Sequence, residues 1–286
     1  MNDALARRLC ALNSDFYRRQ AESFSRTRRS PWHGWRRCLN AMPDAVPAPC
    51  GRPFRVLDVA CGNLRFEAFL EEALPGVCME CIAVDDCDAL AASAHHGVER
   101  PDGGPDRLDD GSDRPDGEPG IVRFRHMDVV SALLGADGSA DAGLVRFAEC
   151  SCDMTVAFGF MHHIPGEQRR ERLLRSLVAN TRSGGYVAVS FWCFLNDAGL
   201  AARALETHRA ALADSGLSVW ADSFDEGDYL LGWNNTPGAW RYCHHFDDAE
   251  VDRLVDAVSD VAEPVDRFSC DGRTGNLNQY IVLRVL

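Results

Sequence analysis

No lysine occurs in the 286 residues of the chain, so each of its 30 basic residues is an arginine. We attribute this bias to a GC-rich genome rather than to function. The sequence also has no apolar run near the roughly 18 residues that a membrane-spanning helix needs, and no apolar segment follows a basic N-terminal start. We therefore expect neither a membrane span nor a signal peptide, and we expect a cytoplasmic protein.

Positive charge is scarce overall. The formal net charge is −13, which argues against a free-standing nucleic-acid binder, because such proteins present a basic surface. The distribution is uneven, since residues 1–37 contain nine arginines and three acidic residues. A local basic patch near the N terminus is therefore compatible with the composition.

The 12 cysteines are scattered, and several lie inside apolar runs, which is typical of thiols in a reducing compartment. Two groups could be argued as zinc ligands, namely Cys78 and Cys81 with Cys87, and Cys150 with Cys152. Cys78 and Cys81 are separated by an odd number of positions on a predicted strand, so their side chains point to opposite faces. We therefore predict no metal site.

The central stretch of the chain is residues 54–66, FRVLDVACGNLRF. An apolar, strand-like run ends at Asp58, a turn follows through Ala60, Cys61 and Gly62, and a helix is predicted over 66–74. Small residues let the backbone of a turn approach a ligand, and the helix start leaves free N–H groups that point at it. This pattern indicates a nucleotide-type site.

A second apolar run, residues 77–84, ends at Asp85. An acid about 20 positions beyond a glycine turn, at the end of the second strand, is placed to accept both hydroxyls of a ribose. The turn does not have the sequence G-x-G-x-x-G, which is typical of sites that bind the pyrophosphate of a dinucleotide, and such a site is therefore less favoured. It resembles instead the first-strand motif of class I S-adenosylmethionine (SAM) methyltransferases, roughly D-x-G-C-G-x-G. Ala60 and Leu64 stand where that motif has glycines, and we expect Leu64 to narrow the turn beside the methionine part of the cofactor.

The resemblance extends to the next two strands. A strand over 121–127 ends at Asp128, which in the methyltransferase pattern holds the adenine amino group. The fourth strand, 153–158, ends at Phe158, and such apolar residues would line the methyl-transfer cleft. A double histidine follows, and either His162 or His163 could act as a base, because imidazole titrates near neutrality.

The predicted architecture is α/β: a Rossmann-like class I methyltransferase fold, with a seven-stranded, mostly parallel sheet and helices on both faces. A helical lid is predicted over 1–40, with a break at Ser30-Pro31, and the methyltransferase domain over 41–286. The latter includes a flexible insertion at 97–120, because that segment is dense in Asp, Gly and Pro. A second small loop is expected at 135–143.

Both ends of the chain resemble one methyltransferase family, that of the tRNA wobble-uridine (5-carboxymethyluridine) methyltransferases. The N-terminal match is FYRRQAESFSRTRRSPW, residues 16–32, and the C-terminal matches are EGDYLLGW at 226–233, WRYCHHF at 240–246, a helix over 248–258 and a final strand over 276–285. The resemblance implies tRNA as methyl acceptor and, as in eukaryotic members, a small zinc-binding partner protein. It implies cofactor or substrate roles for Tyr17, Ser25, Thr27, Arg28, Arg241, Tyr242 and His244.

The implied reaction is in-line transfer of the sulfonium methyl group. A carboxylate acceptor needs no general base, so the protein must align and desolvate it. Arginine suits this task because its guanidinium group can donate two hydrogen bonds to one carboxylate. We therefore favour Arg28 and Arg241 as catalytic residues, and His163 and Tyr242 are further catalytic candidates. Two alternatives stay open: a small-molecule methyltransferase, favoured by the net charge and by Trp192, Trp233 and Trp240, and a non-catalytic SAM-binding subunit, favoured by Ala60 and Leu64.

Overall fold

The computed structural model describes residues 1–48, 51–93, 121–134, 144–148 and 151–286. The predictions for 97–120 and 135–143 lie outside these residues. Two N-terminal helices, α1 (Asp3–Arg26) and α2 (His33–Asn40), are separated at Ser30-Pro31 as the sequence indicates. The reason is steric, because a proline disfavours the helical conformation of the residue before it.

The main sheet has seven strands in the order β3-β2-β1-β4-β5-β9-β8. Their bounds are β1 Phe54–Val59, β2 Met79–Asp85, β3 Ile121–His126, β4 Cys152–Ala157, β5 Thr181–Trp192, β8 Ala262–Cys270 and β9 Asn278–Val285. The first five strands of this order are parallel, and β9 runs antiparallel to both β5 and β8. The predicted seven-stranded, mostly parallel sheet is therefore confirmed.

Helices cover both faces of the sheet. They are α2 and α3 (Arg65–Ala73) on one face, and α5 (Val129–Leu134), α6 (Glu167–Ala179) and α8 (Asp248–Asp256) on the other. The short α4 (Asp88–Ala92) packs against α1, and α7 (Ala198–Asp214) packs against the strand Asp228–Leu231. Neighbouring residues of β1 serve opposite faces: Val56 packs in a cluster with α2 and α3, whereas Leu57 packs in a cluster with α5, α6 and α8. A strand buried on both sides must be apolar on both sides, which explains the continuous hydrophobic run in its sequence.

Several elements do not follow from the hydrophobic pattern. The buried residues of α7 are Ala204 and Ala211, so α7 has no stripe of large apolar side chains to reveal it. Strand β8 is an edge strand with mostly exposed side chains and a proline. A separate antiparallel pair, β6 (Asp228–Leu231) and β7 (Arg241–His244), is the structure of the two C-terminal family segments.

Strand order reverses between β2 and β4, which flank β1 on its two sides. Helix α1 packs against β7, where the amide of Asn13 pairs with the backbone of Tyr242: Oδ1 accepts the N–H at 2.7 Å and Nδ2 donates to the carbonyl at 3.1 Å. A ligand cleft is expected at the reversal point, outside the carboxyl ends of the strands. In the part of the chain that the structure describes, no helix combines the length and apolar character needed to cross a membrane.

Candidate active site

A cavity of about 740 Å³ lies at the reversal point, which is the size range of ligand-binding clefts. It is lined by α1, by the segment between α1 and α2, and by the loops that follow β1, β2, β3 and β4. All eight residues predicted to bind the cofactor contribute to its wall, namely Tyr17, Asp58, Ala60, Cys61, Gly62, Asp85, Asp128 and Phe158. Of the four catalytic candidates, Arg28, His163 and Arg241 also line it.

The turn after β1 is built from left-handed residues. Ala60, Gly62 and Leu64 have φ values of 65°, 58° and 57°. The N–H groups of Ala60 and Cys61 donate to the carbonyl of Val84 at 2.7 and 3.1 Å, which fastens the turn to the end of β2. These conformations explain why glycine is usual at the motif positions, because a side chain strains the left-handed region.

Leu64 does not narrow the turn beside the cofactor, and that expectation was wrong. Its side chain is 4% exposed and packs in the apolar cluster that includes Trp35 and Phe66, and it is absent from the cavity wall. The burial of a leucine, worth roughly 1.5–3 kcal/mol, offsets the backbone strain of about 1–2 kcal/mol. Leucine at this position is therefore compatible with an open cofactor cleft.

Ala60 offers a direct test of this backbone strain. Because it is only partly buried and has φ 65°, Ala60→Gly should raise the free energy of unfolding by about 1 kcal/mol. Ala202→Gly, on the exposed face of α7, is the matched control and should lower it by about 1 kcal/mol. Urea denaturation measures both, and a destabilised Ala60→Gly variant would contradict the strained turn.

Asp85 is the hydrogen-bond acceptor that joins the turn to the second strand. Its Oδ2 accepts the N–H of Gly62 at 2.8 Å, and its Oδ1 accepts the N–H of Cys87 at 2.9 Å. Burial raises the pKa of the Asp85 carboxyl to about 6, against the opposing effect of these N–H groups. The side chain is thus preorganised at the cavity wall, and its contact with a ribose stays a prediction.

Asp128 and Phe158 reach the cavity in different ways. Asp128 Oδ1 accepts the N–H of Ser131 at 2.9 Å, so the carboxylate caps the start of α5 while it faces the cleft. Phe158 contacts the rings of Trp35 and Phe66, with centroids 5.8 and 5.0 Å away, and so forms part of an aromatic wall. An adenine contact of Asp128 stays a prediction.

The segment after α1 is held against the glycine turn. Asn63 Nδ2 donates to the carbonyl of Arg28 at 3.0 Å, and Arg65 Nη1 donates to the carbonyl of Ser30 at 2.7 Å. Thr27 lines the cavity, and its hydroxyl donates to the carbonyl of Phe24 at the end of α1. Ser25 is buried and does not line the cavity, and its hydroxyl bonds to that of Ser93 at 2.7 Å.

The two arginine candidates lie together in the cleft. Arg241 is 6% exposed, its guanidinium carbon lies 5.3–5.9 Å from four ring centroids, and its Nη1 is 3.4 Å from the Tyr17 hydroxyl. The rings are Phe16, Phe24, Trp192 and Trp233. The guanidinium of Arg28 stacks 3.5 Å above Phe24. Burial, reinforced by the neighbouring charge of Arg241, lowers the pKa of Arg28 to about 9.

Among the described residues, neither Arg28 nor Arg241 forms an ion pair with a carboxylate, although salt bridges form elsewhere in the fold. The Nε of Arg241 is buried and also has no hydrogen-bond partner among them. A buried guanidinium without a carboxylate partner, as at Arg241, is unfavourable by itself, and the neighbouring charge of the partly exposed Arg28 adds repulsion. An anionic ligand would neutralise both.

The hydrogen bonds of His163 favour one tautomer. Its Nδ1 lies 2.9 Å from the Tyr242 carbonyl and 3.1 Å from Asn13 Nδ2, which itself donates to that carbonyl, and we therefore assign the proton to Nδ1. Nε2 therefore accepts the hydroxyl of Tyr17 at 2.7 Å. Burial and the charge of Arg241 lower the pKa of His163 to about 3, so the ring is neutral at pH 7. The lone pair of Nε2 accepts the hydrogen bond from Tyr17. His163 could therefore act as a base only after that hydrogen bond breaks.

The structure corrects the catalytic assignment of Tyr242. Adjacent residues of a strand face opposite sides, and on β7 the side chain of Arg241 faces the cleft whereas that of Tyr242 faces away. The Tyr242 hydroxyl donates to Asp228 at 2.7 Å, and His244 Nδ1 lies 2.7 Å from the same carboxylate. Tyr242 and His244 therefore join β7 to β6, and neither lies at the cavity wall.

One cluster of potential ligand atoms has the spacing of a metal site, but its surroundings do not favour a cation. Ligand atoms of His162, His163 and Cys243 lie within 4.8 Å of one another. Both nitrogens of His163 are already engaged, and the positive charges of Arg28 and Arg241 face the histidines. Over the ranges that the structure describes, Cys78, Cys81 and Cys87 do not form such a group, and Cys150 lies outside those ranges.

Comparisons with known proteins agree with this architecture. A protein of Encephalitozoon cuniculi named "Putative methyltransferase" is 25% identical over 229 residues, which cover 80% of this chain and 77% of that protein. A solved SAM-dependent methyltransferase from Methanosarcina mazei has a TM-score of 0.52 and 17% identity, over 82% of this chain and 94% of that one. No family model matches. The chain therefore has the Rossmann-like fold of class I methyltransferases.

Proposed function

We propose that the chain is a SAM-dependent methyltransferase whose methyl acceptor is a carboxylate, carried by a modified wobble uridine of tRNA. The name of the Encephalitozoon cuniculi relative, the fold and the cavity wall support the enzyme class and the cofactor. The observation that carries the acceptor chemistry is the pair of guanidinium groups of Arg241, which is buried among aromatic rings, and Arg28, which is partly exposed and stacks on Phe24; neither has a carboxylate partner among the described residues.

The reaction needs little acid or base chemistry from the protein. The carboxylate oxygen attacks the sulfonium methyl group in line, a C–O bond forms as the C–S bond breaks, and the thioether leaves as S-adenosylhomocysteine. A carboxylate is already ionised at neutral pH, so no proton has to be removed. His163 is neutral and its Nε2 accepts a hydrogen bond from Tyr17, which is consistent with a reaction that needs no general base.

The arginines are proposed to orient the acceptor. Each guanidinium presents a fork of N–H donors that fits a carboxylate, and the surrounding rings exclude water. A tightly neutralised carboxylate would be a poor nucleophile. Orientation and desolvation must therefore contribute more than charge neutralisation.

The tRNA assignment rests on the family resemblance at both ends of the chain, together with the arginines of α1. Arg8, Arg18, Arg19 and Arg26 are exposed on that helix, which borders the cleft. They could contact phosphates, although Arg18 and Arg19 already pair with Asp15. A small activating protein partner and a cytoplasmic location belong to the same proposal.

A small-molecule acceptor is the second candidate, and the net charge of −13 favours it. The test incubates the purified protein with methyl-labelled SAM and an extract of a strain that lacks it, and then counts label in RNA, protein and small-molecule fractions. Arg241→Gln is the inactive variant, and Arg209→Gln, on the exposed face of α7, is the matched control. Label in tRNA supports the proposal, whereas label confined to small molecules would redirect it to a metabolite.

A further inference from the structure

His244 is a buried residue of β7 whose two ring nitrogens both face carboxylates. It is 1% exposed, its Nδ1 lies 2.7 Å from Asp228 Oδ1, and its Nε2 lies 2.7 Å from Glu250 Oε2. Each of these contacts needs a proton between its two atoms, because a deprotonated ring nitrogen and a carboxylate oxygen are both acceptors. The ring and the two acids therefore hold two protons between them.

The other contacts of the two acids favour their ionised forms. Asp228 accepts the hydroxyl of Tyr242 at 2.7 Å and a backbone N–H at 2.9 Å. Glu250 Oε1 forms an ion pair with the buried guanidinium of Arg170 at 2.8 Å. Both protons are then on the imidazole ring, so two carboxylates are balanced by one imidazolium and one guanidinium. Burial by itself lowers the pKa of His244, but the hydrogen bonds to the two acids outweigh it and raise the pKa above its ordinary value.

This charged group connects two parts of the cleft wall. Its four side chains belong to four elements, namely Asp228 to β6, His244 to β7, Glu250 to α8 and Arg170 to α6. Arg170 Nη1 also donates to the carbonyl of Ile164 at 3.1 Å, directly after His163 in the chain. The group thus joins β7, which carries Arg241, to the loop that carries the double histidine.

Strand β7 depends on such contacts for its position. It has four residues and, in the described part of the chain, pairs with β6 alone, in a two-stranded sheet separate from the main one. A pair of short strands is marginally stable by itself, so side-chain contacts must fix its place. The backbone of Tyr242 is held by Asn13 and His163, and the ring of His244 supplies the second attachment.

We propose that His244 is a positioning residue of the acceptor site: its ring bridges Asp228 and Glu250 and thereby fixes β7, so that Arg241 is placed to bind the acceptor. The inference rests on the proposed function, because it concerns the arginine assigned to the acceptor carboxylate. None of the four side chains of the charged group lines the cavity, so removal of the ring takes no contact from the cofactor.

The first test compares His244→Gln with the control His245→Gln. The amide of glutamine donates from a single nitrogen and cannot replace the bridge between two carboxylates. His245 lies outside the charged group, and its Nδ1 accepts the N–H of Leu195 at 3.3 Å. Titration calorimetry gives the dissociation constant of SAM and the number of sites per chain. Initial rates are measured with methyl-labelled SAM and tRNA prepared from a strain that lacks the protein.

We expect the rate per SAM site of His244→Gln to fall at least about tenfold, because a small displacement of a substrate-orienting group is costly. Its dissociation constant for SAM should stay within about threefold of the wild type, with the same number of sites, and His245→Gln should match the wild type within about threefold in both. A purely structural role of His244 predicts fewer SAM sites at an unchanged rate per site. That result, or a fully active His244→Gln variant, would overturn the proposal.

Two NMR measurements without SAM or acceptor keep this inference separate from the proposed function. The Nε–H signal of Arg241, identified by its absence from Arg241→Met, should shift in His244→Gln and stay in place in His245→Gln. An unshifted signal in folded His244→Gln would overturn the proposal. Absence of methyl transfer to any fraction would refute the proposed function, whereas this signal would still decide whether His244 positions Arg241.

The second NMR measurement needs no variant at position 244, and it decides the bridge even if His244→Gln fails to fold. Wild-type protein labelled with ¹⁵N in its histidines is observed at pH 7.5, where an ordinary histidine is mostly neutral. We expect one histidine with slowly exchanging protons on both ring nitrogens. A protein in which every histidine is neutral at this pH would contradict the bridging imidazolium.

Discussion

Asp85→Ala is expected to weaken SAM binding by at least about a hundredfold. Each hydrogen bond to a charged acceptor contributes about 1.5–3 kcal/mol, and the two ribose hydroxyls would make two of them. The carboxylate is already oriented by the N–H groups of Gly62 and Cys87, so little ordering remains to be done on binding. Titration calorimetry with purified protein at pH 7.5, where Asp85 is ionised, measures the loss.

Asp85→Asn separates charge from shape in the same experiment. The amide keeps the size of the side chain and one acceptor oxygen, so its affinity should lie between those of the wild type and Asp85→Ala. Urea unfolding of each variant checks that the turn survives the loss of its hydrogen bonds. A folded Asp85→Ala protein that binds SAM within about threefold of the wild type would contradict the ribose assignment.

Arg241→Met is expected to separate catalysis from cofactor binding. Removing one partner of a buried, hydrogen-bonded charge pair costs about 2–5 kcal/mol, so kcat/KM for an anionic acceptor should fall at least about a hundredfold. The affinity for SAM should stay close to that of the wild type. Without the buried, unpaired charge, the free energy of unfolding should rise by about 1 kcal/mol or more.

Arg241→Met is informative because its activity should fall while its free energy of unfolding should rise. A variant that is more stable and still inactive shows that the arginine serves the ligand rather than the fold. Arg209→Met, at an exposed position of α7, should change neither activity nor stability appreciably. Equal loss of SAM binding in Arg241→Met and Asp85→Ala would contradict the division of roles between the two residues.

The local part of the fold could be predicted because its signals are local. The unit from β1 through α3 to β2 follows from apolar runs, a turn of small residues and a terminal acid, all within 32 residues of sequence, 54–85. Helix α7 could not be predicted in this way, because its buried residues are alanines. The pairing of β6 with β7 depends on contacts made after folding, which no periodicity records.

The residues of the site also divide into those that the sequence predicts and those that it does not. The sequence predicts Asp58, Asp85, Asp128 and Phe158 from their positions at strand ends, and all four line the cavity. Tyr242 was assigned wrongly, although the sequence held the signal, because neighbours on one strand cannot both face the cleft. Leu64 could not be assigned, since only the packing of α2 and α3 shows where its side chain goes.

The most direct test of carboxylate methylation is the alkali lability of the transferred methyl group. The tRNA or small-molecule fraction labelled by the wild-type protein and methyl-labelled SAM is treated with mild alkali, and the volatile label is counted. We predict that the label is released as methanol, because alkali hydrolyses a methyl ester, and that Arg241→Met produces none. Label that stays bound to the acceptor after alkali would show transfer to nitrogen, carbon or an ether oxygen, and would contradict a carboxylate acceptor.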